Sequence, residues 1–87
     1  MKHGHFTVFI RGTTSNEQKD FWEKLENTKI KKSDVIFQQG EGYLVFIINL
    51  RVSAENIKSA FLKTFEYIDT VSMKLSDIEI IEIDIKR

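Results

Sequence analysis

Tyr43-Leu44-Val45-Phe46-Ile47-Ile48-Asn49-Leu50 contains one polar residue in eight, Asn49, and follows the turn-like Gln38-Gln39-Gly40-Glu41-Gly42. A strand sends successive side chains to opposite faces, so Leu44, Phe46, Ile48 and Leu50 point one way and Tyr43, Val45 and Ile47 the other. Both faces are apolar. A chain of 87 residues has helix enough to cover one side of a sheet, so the second face is expected to be open or covered by another molecule. That face is the candidate binding surface.

Working outward, Asp34-Val35-Ile36-Phe37-Gln38 reads as a strand, and Gly40 and Gly42 permit a tight return into the next, which predicts an antiparallel hairpin. Upstream, Phe6, Val8 and Ile10 alternate with His5, Thr7, Phe9 and Arg11 until Gly12, predicting a first strand over 5–11 with Phe9 turned away from the core. Thr14 followed by Glu17 is a capping-box pattern, and Phe21, Trp22 and Leu25 set an apolar stripe, predicting a helix over 15–29. Lys19, Asp20, Glu23, Lys24 and Glu26 form its solvated side, and Trp22 is assigned to core packing.

Downstream, Ser53 caps a second helix in which Ala54, Ile57, Ala60, Phe61, Thr64, Phe65 and Ile68 recur at helical spacing. Val71, Met73 and Leu75 alternate as a short strand or an extended connection would. Ile78, Ile80, Ile81, Ile83 and Ile85 form the last strand, and their alternation changes phase between Ile80 and Ile81. A bulge there would keep all five on one side; the alternative is a strand apolar on both faces. The order strand, helix, strand, strand, helix, strand is that of the ferredoxin-like βαββαβ plait, an α+β fold with both helices on one face of an antiparallel sheet. One such domain spans residues 1–87. With the first and third strands central, Phe9, Tyr43, Val45 and Ile47 are expected as neighbours on the open face, with Thr7 and Arg11 beside them.

Thirteen basic residues balance thirteen acidic ones, which removes a general electrostatic pull toward phosphate. The chain contains no cysteine, so neither disulfides nor thiolate zinc sites enter the fold. Met1-Lys2-His3-Gly4-His5 leads straight into a strand pattern rather than a signal peptide, and no apolar run reaches membrane-spanning length, so a cytoplasmic protein is expected. His3 in third position could chelate copper or nickel through a free amino terminus, but an unstructured terminus is the simpler reading, and neither His3 nor His5 has a nucleophile nearby in sequence. No cofactor or metal is expected.

The chain resembles an RNA-recognition motif over nearly its whole length. Val8-Phe9-Ile10-Arg11-Gly12 is similar to the family's shorter signature, with Phe9 on its stacking aromatic. Glu41-Gly42-Tyr43-Leu44-Val45-Phe46 lies where the longer signature belongs, Gly42 and Tyr43 matching its glycine and first aromatic. The pattern departs at Glu41, where the family begins with Lys or Arg, at Leu44, where it has a small residue, and at Val45, which replaces its second stacking aromatic. The resemblance implies that Phe9 and Tyr43 would each stack one RNA base, with Arg11, Lys29, Lys31, Lys32 and Arg51 as phosphate contacts.

Two catalytic readings of this plait fit poorly. Acylphosphatases need a phosphate loop ahead of the first helix, and Arg11-Gly12-Thr13-Thr14 supplies an arginine without that loop. Metal-dependent ferredoxin-like endoribonucleases place an acidic residue where Arg11 and Gly12 stand. In these small endoribonucleases a late strand such as 78–85 can cross to a partner's sheet. The reading that results is a non-catalytic binding module whose open face uses Phe9, Arg11, Tyr43, Val45 and Ile47. Its partner is protein, either a second copy or a target capped in the manner of an inhibitor, immunity protein or antitoxin. The alternative is a single-stranded RNA-binding domain.

Overall fold

In the computed structural model, which describes residues 4–75 and 77–87, the chain runs through β1 (Gly4–Thr14), α1 (Gln18–Lys24), a 3-10 turn (Lys32–Asp34), β2 (Val35–Gln39), β3 (Leu44–Ala54), α2 (Ile57–Lys74) and β4 (Glu79–Lys86). The sheet order is β2-β3-β1-β4, and each neighbouring pair is antiparallel. β1 and β3 pair along their full length, from Gly4 opposite Ala54 to Thr14 opposite Leu44. The α+β class read from the sequence therefore holds. His3 lies outside the described residues.

Alternation sorts the two faces. Phe6, Val8 and Ile10 of β1 and Leu44, Phe46, Ile48, Leu50, Val52 and Ala54 of β3 are buried, and Phe21 and Leu25 of the first helical segment and Val71 and Leu75 at the end of α2 join them. Both helices thus cover the same face. Phe21 is the hub: its ring lies 5.0 Å from Phe37, 5.3 Å from Trp22 and 5.4 Å from Phe46, with edge-on geometry to the first two. Trp22 is half-buried against this cluster, in keeping with its assignment to core packing.

Several boundaries differ from the sequence reading, each for a local reason. β1 does not stop at Gly12, because β3 and β4 both continue alongside it. A Cβ on Gly12 would sit 2.5 Å from the Phe46 ring and 2.7 Å from the Glu79 carbonyl oxygen, so this glycine lets two neighbours close over the strand. Thr14 is consequently buried at the strand end, where its Oγ1 accepts from the backbone N–H and side-chain amide of Asn16. The capping box does not form, and Glu17 takes the N-cap position of α1 without a side-chain cap.

α1 ends at Lys24 rather than near residue 29. Thr28 Oγ1 donates to the Leu25 carbonyl at 2.6 Å and Asn27 adopts φ 67°, which folds the chain back so that Ile30 enters the core five residues after Leu25. Ser53 remains in β3 opposite His5, and Asn56 caps α2 instead, accepting from the Ser59 N–H at 2.9 Å. Ala54 belongs to the strand and not to the helix stripe. Val71 to Lys74 are helical, not extended: Val71 and Leu75 are buried at i, i+4 spacing while Met73 is 85% exposed.

Phe21→Ala should cost about 3–5 kcal/mol, because it empties the site where α1 is held to the β2–β3 hairpin. Urea unfolding measures this, and a loss under about 1 kcal/mol would contradict the hub role. Gly12→Ala should cost about 1–3 kcal/mol by overpacking against Phe46, in the same assay.

Candidate functional site

The face opposite the helices is built by the alternate residues of four strands, and cross-strand pairing sets its rows. Gln38, Val45, Thr13 and Glu79 form one row. The next holds Ile36, Ile47, Arg11 and Glu82, and beyond it Asn49, Phe9 and Asp84, then Arg51, Thr7 and Lys86. Directly opposed side chains on one face lie about 4.5–5.5 Å apart at Cβ, so each row is a set of contacts.

Ile36, Ile47 and Val45 therefore adjoin, Tyr43 extends the patch, and Ile81 lies across β1 from it. Tyr43, Val45 and Arg11 share a shallow hollow of about 490 Å³ with Thr13, Gln38, Glu79 and Ile81. The hairpin loop fixes Tyr43: Gly42 takes φ 76°, the Gly40 N–H donates to the Tyr43 carbonyl at 2.9 Å, and the Tyr43 ring lies against Gly40 where a Cβ would be.

Ile36 and Ile81, 64% and 52% exposed, were not among the residues read as binding candidates. Ile36 stands in the apolar run Val35-Ile36-Phe37 and faces outward by parity alone. Ile81 reaches the open face because pairing of β4 with β1 shifts between Arg11 and Gly12, Ile80 opposing Gly12 and Glu82 opposing Arg11. The bulge exists, but it does not gather all five isoleucines on one side. Ile78, Ile80 and Ile85 pack against the core, Ile83 is half-buried opposite Ile10, and Ile81, the extra residue, turns outward.

Phe9 stands apart from the other candidates, contrary to the expected cluster. It opposes Asn49 and lines a separate hollow with Thr7, Glu82, Asp84 and Lys86. Tyr43 lies six residues along the chain from Asn49, a separation of about 20 Å at strand spacing. Plait order leaves the stagger of the paired strands open, which is why the sequence reading joined the two rings.

Arg11 sits between the two hollows with its Nε 3.8 Å from Glu82 Oε1, too long for a hydrogen bond but close enough to orient the guanidinium. That Nε is covered and has no hydrogen-bond partner among the described residues, whereas the side chain as a whole is nearly half open.

The phosphate candidates separate as well. Lys29 and Arg51 enter a cleft of about 570 Å³ with Asn27, Lys63, Glu66, Tyr67 and Thr70. There Lys63 donates to the Ser53 carbonyl. Lys32 instead stands 6.0 Å over the Trp22 ring, and Lys31 is exposed just ahead of the 3-10 turn. Among the described residues no group of three or more His, Cys, Asp or Glu could hold a metal ion, and no helix is long and apolar enough to cross a membrane.

Comparison with models of protein families, with curated proteins and with solved structures finds no match to this chain.

Ile36 and Ile81 hold no core position, so Ile36→Ser and Ile81→Ser should each change stability by about 1 kcal/mol or less, against several for a buried neighbour such as Ile48→Ser. Thermal unfolding of the three variants checks this; equal losses would mean that the open-face isoleucines serve the fold.

Proposed function

We propose that this chain is a ferredoxin-like plait that works as a non-catalytic binding module, capping a protein target with its open sheet face. The observation that carries the reading is the patch of Ile36, Tyr43, Val45 and Ile47 on a face no helix covers, with Ile81 facing the same hollow from the far side of β1. Patches of this kind, apolar at the centre and ringed by polar groups, are typical of protein interfaces. Gln38 on β2, Arg11 and Thr13 on β1 and Asn49 on β3 border this one. Aliphatic side chains gain by exclusion of water and offer no π-face, so the patch suits an apolar protein surface better than nucleobases.

Two further observations favour protein over RNA. Phe9 and Tyr43 are too far apart to stack adjacent bases, and the phosphate candidates are spread over separate surfaces rather than one rim. The net charge of zero adds no long-range attraction to a polyanion. Inhibitor, immunity-protein or antitoxin capping is the form of binding that suits a small domain with such a face.

The test compares wild type with Val45→Glu, immobilised at equal density and exposed to an extract of the cells that encode the protein, alongside anisotropy titration with fluorescent oligouridylate. A target retained by wild type and lost by Val45→Glu, with both proteins folded, is the expected result, because the substitution would bury an unpaired carboxylate at the patch centre. A salt-sensitive oligouridylate complex abolished by Phe9→Ala with Tyr43→Ala would replace this reading with the RNA-binding one. Retention of every associated protein by Val45→Glu would exclude the patch.

A further inference from the structure

A second incomplete surface lies on the other side of the molecule, where α2 meets β4. The sheet-facing line of α2 is made of small residues, Ala60 and Thr64, followed by Val71. Small side chains let the helix settle close to β1 and β3, and the larger residues one position further round are left on its flank. Ile57, Phe61 and Phe65, at i, i+4 and i+8, are all exposed there, the two phenylalanines by 42% and 48%. The opposite flank carries Lys63, Glu66 and Thr70 and faces Arg51–Ser53 and the 27–30 loop, so the phenylalanine flank is the one toward β4.

β4 itself is unfinished. It pairs with β1 alone, so its outer edge has no strand partner among the described residues, and none of its residues is buried although Ile80, Ile83 and Ile85 point to the core side. An open strand edge beside an apolar helix flank is a template for adding another strand with its own apolar cover.

Charge along β4 selects the occupant. Opposed residues of an antiparallel pair share a face. A second copy of β4 can therefore pair across the edge, with five residues after the bulge engaged, about a two-fold axis at either Asp84 (residues 82–86) or Ile85 (residues 83–87, one past the end of the strand). Centring on Asp84 sets that carboxylate against itself. Centring on Ile85 puts Asp84 opposite Lys86 of the second copy, twice by symmetry, and Ile83 opposite Arg87 of the second copy, with no like charges opposed. A register one step earlier, on Ile83, would oppose Glu82 and Asp84.

We infer that two copies of this chain associate through antiparallel pairing of β4 centred on Ile85, forming a continuous eight-stranded sheet with the two α2 flanks meeting over the seam. Phe61 and Phe65 of each copy then lose their exposure, and the open faces of both copies lie side by side. This inference is independent of the open-face reading, since Val45 lies on β3 on the opposite side of the sheet.

Sedimentation equilibrium from about 1 μM to about 1 mM spans the affinities of a working homodimer. Wild type should dimerise in this range. Asp84→Lys and Lys86→Asp should each weaken dimerisation by about tenfold or more, because each places like charges opposite one another twice. An equimolar mixture of these two variants should dimerise again, since in the mixed pair each cation at positions 84 and 86 of one chain faces a carboxylate of the other. Phe65→Lys should also dissociate the dimer with no loss of melting temperature at a dilution where wild type is monomeric, while Val45→Glu leaves it intact. A wild type that stays monomeric throughout, or a dimer that neither charge reversal weakens, or single variants that fail to restore association on mixing, would overturn the inference.

Discussion

Four strands must be covered on one side by very little helix: α1 contributes seven residues and α2 eighteen. An isolated seven-residue helix is not stable in water, so α1 exists through what it packs against. Phe21 supplies that contact, seated between Phe37 and Phe46, and the sheet beneath must be flat enough for it. Gly12 meets that need, since the Phe46 ring lies across the space a side chain there would fill. α2 meets the sheet through Ala60 and Thr64, and Thr64 satisfies its own hydroxyl on the Ala60 carbonyl at 2.8 Å, so a polar residue is buried without an orphaned group.

The surfaces left over follow from this economy. A single helical layer leaves the far face of the sheet uncovered, and that face is apolar over β2 and β3, with Ile81 of the β4 bulge exposed across β1 from them. Because α2 lies chiefly over β3, the core-side isoleucines of β4 are only half covered, and Phe61 and Phe65 stay exposed on the flank of α2. Zero net charge means that no overall repulsion opposes association at either surface. Pairing at the β4 edge and capping by the open face are compatible, because the first uses the backbone edge of β4, the helix flank and the edge residues Asp84 and Lys86, while the second centres on the side chains of β2 and β3.

Much of this was legible in the sequence where a period was clear. The almost unbroken apolar run Leu44 to Leu50 identified both the central strand and its two apolar faces, and the phase change at Ile80–Ile81 marked a real bulge. Legibility failed where tertiary pairing overrode local signals. Gly12 read as a stop but serves close packing inside the strand; Thr14 and Ser53 read as caps but lie in strands that their neighbours prolong; Val71 to Leu75 alternates by coincidence with helical spacing. Phe61 and Phe65 fall in the apolar stripe of α2 yet stay exposed, because periodicity reports the apolar side of a helix, not how much sheet lies beneath it. The distance between Phe9 and Tyr43 depends on strand register, which side-chain type at either position does not encode.

The central claim is that the surfaces this fold leaves uncovered are sites of association. Residue-resolved amide hydrogen exchange of the isolated protein, at a dilute and a concentrated extreme, tests it most directly. The account predicts β1 and β3 amides protected at both concentrations, with outward-facing amides over Ile83–Lys86 gaining protection only in the concentrated sample. Edge amides of β4 that exchange equally fast at both extremes, or that are already as protected as β1 when dilute, would contradict it.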